Sequence, residues 1–190
     1  MTARDFDVRR LDVPAFAKAA AQREGAWPLQ GFRRLRDLLA PTPTPTPTPT
    51  AAEGEPPPEV HWSLRGEERP ARAGQPPQVW LYLAADAVLP LICQRCLQPL
   101  QQPLALQRQF QFVPGEDAAA KLDGEVEHEV LPLTHDLDVH ALLEDELLLD
   151  LPLVPRHEVC PQPLPVAADA AEPQDAHPFA ALAALRRPQS

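Results

Sequence analysis

All three cysteines of this 190-residue chain lie in two short segments, Cys93-Gln94-Arg95-Cys96 and His157-Glu158-Val159-Cys160. Thiols and an imidazole at such spacings offer two chemistries, redox exchange or metal ligation. A redox C-x-x-C usually opens a helix, whose N-terminus lowers the first thiol's pKa. A structural zinc site instead takes its C-x-x-C from a turn and completes a tetrahedron with a distant Cys or His pair. Here the run from Ala87 to Ile92 leads into the first pair and Leu97-Gln98-Pro99-Leu100 leads out of it, which predicts a strand-turn-strand unit. With the downstream His-x-x-Cys, the pattern favours metal over redox, and Cys93, Cys96, His157 and Cys160 are the candidate ligands of a structural zinc ion. Leu97 stands where a knuckle turn would carry glycine, and the alternative is that the cysteines are small hydrophobes at a sheet edge. The sequence leaves both open.

Positioning those residues requires a sheet. Val60 to Leu64 alternates, with Trp62 and Leu64 on one side, and Val79 to Leu83 is rich in β-branched and aromatic residues. In the strand returning from Cys96, Leu104, Leu106, Phe110 and Phe112 recur at even spacing among glutamines and Arg108, the pattern of a half-buried antiparallel meander. A charged, proline-broken turn is predicted from Gly66 to Pro77, a loop from Pro114 to Asp123, and a strand from Glu125 to Leu131. Asp138 caps a helix over 139–149 with Val139, Leu142, Leu143 and Leu147 as its apolar stripe. Glu144, Asp145 and Glu146 follow one another on that helix, so they diverge by about 100° per residue and do not converge on one ion. They read as solvated charge, with Glu144 and Glu146 as candidates for meeting a basic partner.

Upstream, Asp12 caps a helix that holds Pro14 in its first turn and stops at Gly25. A second helical pattern puts Phe32, Leu35 and Leu39 on one side and Arg33, Arg34 and Arg36 on the other. That cluster is a solvated face or a contact for RNA phosphate, as is Arg95 at the turn. The Pro-Thr repeat from Pro41 to Thr50 permits neither helix nor central strand and forms a polyproline spacer on the order of 30 Å long. Past Cys160 the chain reads as linker, ending in a short helix that brings Phe179, Leu182 and Leu185 together as a docking stripe. The segments are thus an N-terminal helical segment (1–40), a Pro/Thr-rich insertion (41–58), a β-rich core (59–160) and a linker with a C-terminal short helix (161–190). The fold class is α+β, an antiparallel β-meander or partly open barrel flanked by N-terminal helices and one acidic helix, with disordered linkers.

The net charge of −10 opposes wholesale coating of a phosphate backbone. The charge is uneven, since residues 122–155 carry ten acidic groups and no lysine or arginine. An uneven distribution can offer RNA a local basic face, or a basic protein an acidic one. No signal segment and no membrane-length apolar run is present, and an odd cysteine count argues against a disulfide framework, so a cytoplasmic setting with no membrane contact is expected. There is no G-x-S-x-G, P-loop, H-E-x-x-H or convergent carboxylate pair, which argues against a zinc or thiol enzyme such as a nuclease or reductase, and no small-molecule substrate is expected.

The Cys-Gln-Arg-Cys turn, the block Leu-Leu-Glu-Asp-Glu-Leu-Leu-Leu-Asp-Leu-Pro-Leu-Val-Pro over 142–155 and the terminal His-Pro-Phe-Ala-Ala-Leu-Ala-Ala-Leu-Arg-Arg occur together and in this order. In this the chain resembles the YceD family, the large ribosomal RNA subunit accumulation proteins, from roughly Val60 to Arg187. The resemblance implies a non-enzymatic role in synthesis, processing or stability of 23S rRNA. The basic N-terminal helix and Arg95 then make precursor 23S rRNA the expected partner, the acidic helix face a large-subunit ribosomal protein, or both apply. It also matches Cys93, Cys96 and Cys160 to cysteines of relatives, and His157 to a position where some carry histidine. A zinc- or thiol-dependent RNA-processing enzyme and a pure protein adaptor are the alternatives.

Overall fold

The computed structural model describes residues 6–40, 57–71 and 74–161. Four antiparallel strands, β1 (Gln22–Pro28), β2 (Glu59–Arg69), β3 (Gln78–Ile92) and β4 (Pro99–Val113), form a meander in chain order. A short fifth strand, β5 (Glu129–Pro132), adds to β4 in parallel, so the sheet is mixed and open. Helices α1 (Val13–Lys18), α2 (Arg33–Arg36), α3 (Glu116–Asp123) and α4 (Val139–Asp150) complete an α+β fold. No helix among the described residues is long and apolar enough to cross a membrane.

One face of the sheet carries the core. Val60, Trp62 and Leu64 of β2, Leu81, Leu83 and Leu89 of β3, and Leu104, Leu106 and Phe110 of β4 point to the same side, as the period of two dictates. Phe16 of α1, Phe32 and Leu35 around α2, and Val139, Leu143 and Leu147 of α4 cover them. Both predicted caps form: the Asp12 carboxylate accepts from Ala15 N at 3.0 Å, and the Asp138 carboxylate accepts from His140 N at 2.9 Å and Ala141 N at 3.1 Å.

Several boundaries differ from the sequence reading, each for a tertiary reason. Helix α1 ends where Ala20 takes a left-handed φ of 46°, and Gly25 is not its stop but the middle of β1. There Gly25 lies against the Trp62 indole, which a Cβ would meet at 3.0 Å. Gly66 does not open a turn either; β2 continues through it because α1 crosses closely, and a Cβ would meet the Phe16 ring at 2.6 Å. The second N-terminal helix is a 3-10 turn, Leu29–Gly31, followed by the single turn of α2. Residues 116–123, expected as loop, form α3, the crossover that makes β5 parallel. Val126 and His128 fall before β5; His128 hydrogen-bonds Gln111 at 2.8 Å and rests against Trp80.

The α2–α4 junction buries an imidazole. His140 stacks on Phe32 with ring centroids 4.2 Å apart and sits 4.9 Å from Trp27. Burial first, then Arg9, pushes its pKa below the ordinary value near 6.5. The unfolded chain therefore takes up this proton first on acidification. The stability due to the neutral ring is whole above about pH 6.5 and is lost as pH falls through that value to the lower folded one. His140→Phe, which keeps the stacked ring and removes the titration, is expected to flatten the melting temperature between pH 7 and 5, measured beside the parent chain.

Candidate metal centre

Strands β3 and β4 outrun their neighbours. Strand β2 pairs with β3 only as far as Ala87, and β5 pairs with β4 only from Phe110. Val88–Ile92 and 99–103 therefore form a two-stranded arm, which explains how Pro90 and Pro103 are tolerated away from the centre of the sheet. At its tip the chain turns tightly: Cys93 N donates to Gln98 O at 2.9 Å and Leu97 N to Cys93 O at 2.9 Å. Leu97 adopts the left-handed φ of 59° that glycine would supply in a knuckle. The missing glycine thus costs roughly 1–2 kcal/mol rather than the turn itself.

The segment after α4 crosses this tip. Gln94 N donates to Pro155 O at 2.8 Å, and the strap brings His157 and Cys160 onto the cysteine pair. One ligand atom from each of Cys93, Cys96, His157 and Cys160 lies within 4.8 Å of every other. The Cys93 and Cys160 sulfurs are 3.9 Å apart, and Cys96 Sγ is 3.4 Å from His157 Nδ1. Zinc bond lengths give tetrahedral edges of about 3.8 Å between sulfurs and about 3.6 Å between sulfur and nitrogen. Those two separations match such edges, and with all the others within 4.8 Å the four groups could hold a metal ion; the donor set is compatible with zinc. All three cysteines are free thiols.

The surroundings suit the same purpose. His157 Nε2 faces the Pro99 carbonyl oxygen at 3.1 Å, so it carries the proton and Nδ1 presents its lone pair to the sulfurs. Burial pushes the Cys93 thiol up, but the backbone amides of His157, Arg95 and Cys96 outweigh it and hold the thiol at about 5. Burial raises Cys96 above its ordinary value, and its Cys160 and Cys93 neighbours add to the effect. Arg95, expected at an exposed turn, folds back over the site. Its Nε donates to Cys160 Sγ at 2.9 Å, and its terminal nitrogen donates to the His157 and Glu158 carbonyls at 2.8 and 3.1 Å. Neither the Arg95 clamp nor the Pro99 carbonyl was legible in the sequence; an arginine inside the C-x-x-C was the one available signal.

The other expected site residues are distributed differently. Arg34 is tied to α4, its backbone N donating to Glu144 Oε1 at 2.6 Å and its guanidinium reaching Asp145 at 2.5 Å. Arg33 and Arg36 are exposed, Arg36 lying 3.9 Å from Asp37. Glu144 and Glu146 are not solvated: their side chains are 9% and 3% exposed, and Glu146 takes a 2.9 Å hydrogen bond from Arg108. Both carboxylates meet basic groups of this chain, because α4 is wedged between α2 and β4. Phe179, Leu182 and Leu185 lie outside the described residues, as does the Pro-Thr repeat.

The family model described as "Large ribosomal RNA subunit accumulation protein YceD" matches residues 81–186, more than half of the chain. The chain belongs to the YceD family. The match runs from mid β3 through the knuckle, α4 and the strap, so all four candidate ligands lie within the YceD region. The family's description ties this YceD chain to ribosome biogenesis and names no reaction. No solved structure matches it.

Proposed function

We propose that this chain is a non-enzymatic ribosome-biogenesis factor that works in the cytoplasm by binding precursor 23S rRNA, a large-subunit ribosomal protein, or both. Its membership of the YceD family carries this reading. We further infer that Cys93, Cys96, His157 and Cys160 hold structural zinc. Four protein ligands fill a tetrahedral shell and leave no open position for a reacting water, which fits a scaffold better than an RNA-processing enzyme. Three thiolates around a dication leave one net negative charge, and Arg95 is the cation placed against it. Apolar side chains beside the centre stand in solvent, among them Leu97, Leu153 and Val159, and support a protein partner there. Arg33 and Arg36, with the terminal stripe of Phe179, Leu182 and Leu185, are the further contacts to test.

Tagged protein in a fresh lysate is expected to travel with large-subunit precursors on a sucrose gradient and to leave them after nuclease treatment or in high salt. Retention after nuclease assigns the contact to a ribosomal protein. A profile free of ribosomal material at low salt refutes the reading, and cleavage of rRNA by the purified chain alone favours the enzyme.

A further inference from the structure

The sheet face opposite the core carries a second feature. In the row Glu24, Ser63, Ala84, Gln107 across β1 to β4, the two central residues are small. The next row on one side is Gln22, Arg65, Tyr82, Gln109, and on the other Ala26, His61, Asp86, Ala105. The result is a trough floored by Ser63 and Ala84, with a hollow of about 610 Å³ at the Arg65 end and an adjoining one of about 520 Å³ toward Asp86.

Its ends differ in charge. At one end the Arg65 guanidinium lies 3.9 Å over the Tyr82 ring and that of Arg69 lies 4.3 Å over Trp80, so both planar cations are held flat. They share one carboxylate, Glu67, at 2.8 and 3.3 Å, which leaves that end net positive. The middle row begins at the exposed carboxylate of Glu24, which borders both hollows, and the far row presents that of Asp86. Gln22, Gln107 and Gln109 line the sides with amides that both donate and accept. A surface that coats a polyanion would be cationic throughout; this one has a cationic end, a small flat floor and an acceptor end.

We propose that this trough binds single-stranded RNA through one or two nucleotides, with phosphate at Arg65 and Arg69 and a base over Ser63 and Ala84. The base directs an exocyclic amino group toward Glu24 or Asp86, the pairing by which carboxylates read cytosine. An unstacked base is required, because the floor admits a flat group laid on the sheet and not a duplex. The inference rests on the rRNA-binding reading above and names its site.

Fluorescence anisotropy with labelled 12-nucleotide oligomers of rC, rA and rU tests it on the full chain. Binding of rC and rA is expected to exceed rU, which lacks an exocyclic amine, and two phosphate contacts predict only about a sevenfold loss between 50 and 200 mM salt. Ala84→Phe, which fills the floor, and Arg65→Ala are expected to weaken binding at least tenfold, and Glu24→Ala with Asp86→Ala, which removes both acceptors, to erase the preference over rU. Ala84→Phe alters the open face, so an unchanged melting temperature is expected; the Glu24→Ala, Asp86→Ala double variant, at exposed positions, repeats the test should that variant misfold. Equal affinity for rU, or affinity that falls with Arg33→Ala and Arg36→Ala but not with the trough variants, overturns the proposal. Gradient profiles separate the two ideas: trough variants that bind RNA normally and still travel with precursors reject the trough alone, whereas a parent chain that never does so rejects the wider reading.

Discussion

Treatment of the purified chain with a zinc chelator, or the substitution Cys93→Ser, is expected to free residues 151–161 from the β3–β4 arm while the rest of the sheet stays folded. The strap has no regular structure, and its tie to the tip runs through the ligand set, the Arg95 clamp and the single bond from Gln94 N to Pro155 O. A bare two-stranded arm is marginal in water. Burying Leu89, Leu91 and Leu100 helps it, yet the strap itself exposes Leu153, Val154 and Val159 and gains little from apolar burial. Metal is therefore expected to supply most of the strap's attachment, since binding free energy at a site assembled only on folding is folding free energy. The parent chain should carry one zinc per chain, and Cys93→Ser less than about a tenth of that on the same metal assay, given the strong pH-dependent binding of structural sites. Hydrogen exchange at the Gln94 amide should accelerate at least a hundredfold on chelation, and trypsin should then cut after Arg156 while β2 and β3 remain protected. A zinc-free chain with the Gln94 amide still protected would sink the metal assignment and leave the thiols as packed small hydrophobes. Arg95→Ala provides an intermediate: zinc retained, affinity down about tenfold or more, as expected for a group that supports a ligand rather than binding the ion.

How far the sequence could foresee this depends on how local the relevant forces are. Helix caps are satisfied within three residues, so Asp12 and Asp138 were readable directly. The knuckle was readable because flanking strands and a two-residue spacing define it, and the strap because cysteine and histidine rarely concentrate without chemistry. The glycines were misread for the opposite reason. Gly25 and Gly66 look like stops, but each is small because a ring packs on it, Trp62 on one and Phe16 on the other, and those rings come from distant positions. Strand β1 has no β-branched residue to announce it and is held by register with β2 alone. The trough was invisible because outward positions of a meander look like any solvated face until four strands are aligned. For α4, three consecutive carboxylates look like a solvated face, and only the tertiary fold brings Arg34 and Arg108 to them across 110 and 38 residues.

Arg108→Ala is expected to destabilise the chain by about 3–5 kcal/mol, the cost of breaking a buried ion pair by removing one partner. Arg108 reaches from β4 to two carboxylates of α4, Glu146 at 2.9 Å and Asp150 at 3.0 Å, and Glu146 is 3% exposed. Without the guanidinium, the Glu146 carboxylate is left buried with no cation from β4 against it. Glu129 stands nearby, its pKa already raised, first by burial and then by Glu146. Removing Arg108 therefore takes away the cation that holds the Glu129 pKa down and leaves the repulsion from Glu146, so the Glu129 pKa rises further. A carboxyl whose folded pKa lies above the ordinary 4.5 gains stability as pH falls toward that value, so the variant's deficit against the parent should shrink between pH 7 and pH 5. Replacing both partners, Arg108→Leu with Glu146→Leu, should recover most of the loss, since a well-packed apolar pair of similar volume often matches a buried ion pair. Urea denaturation of the parent, the single and the double variants at both pH values supplies the numbers. A single variant within 1 kcal/mol of the parent at pH 7 would show that Glu146 finds water there, and that the grip of α4 on β4 rests on Leu143 and Leu147 alone.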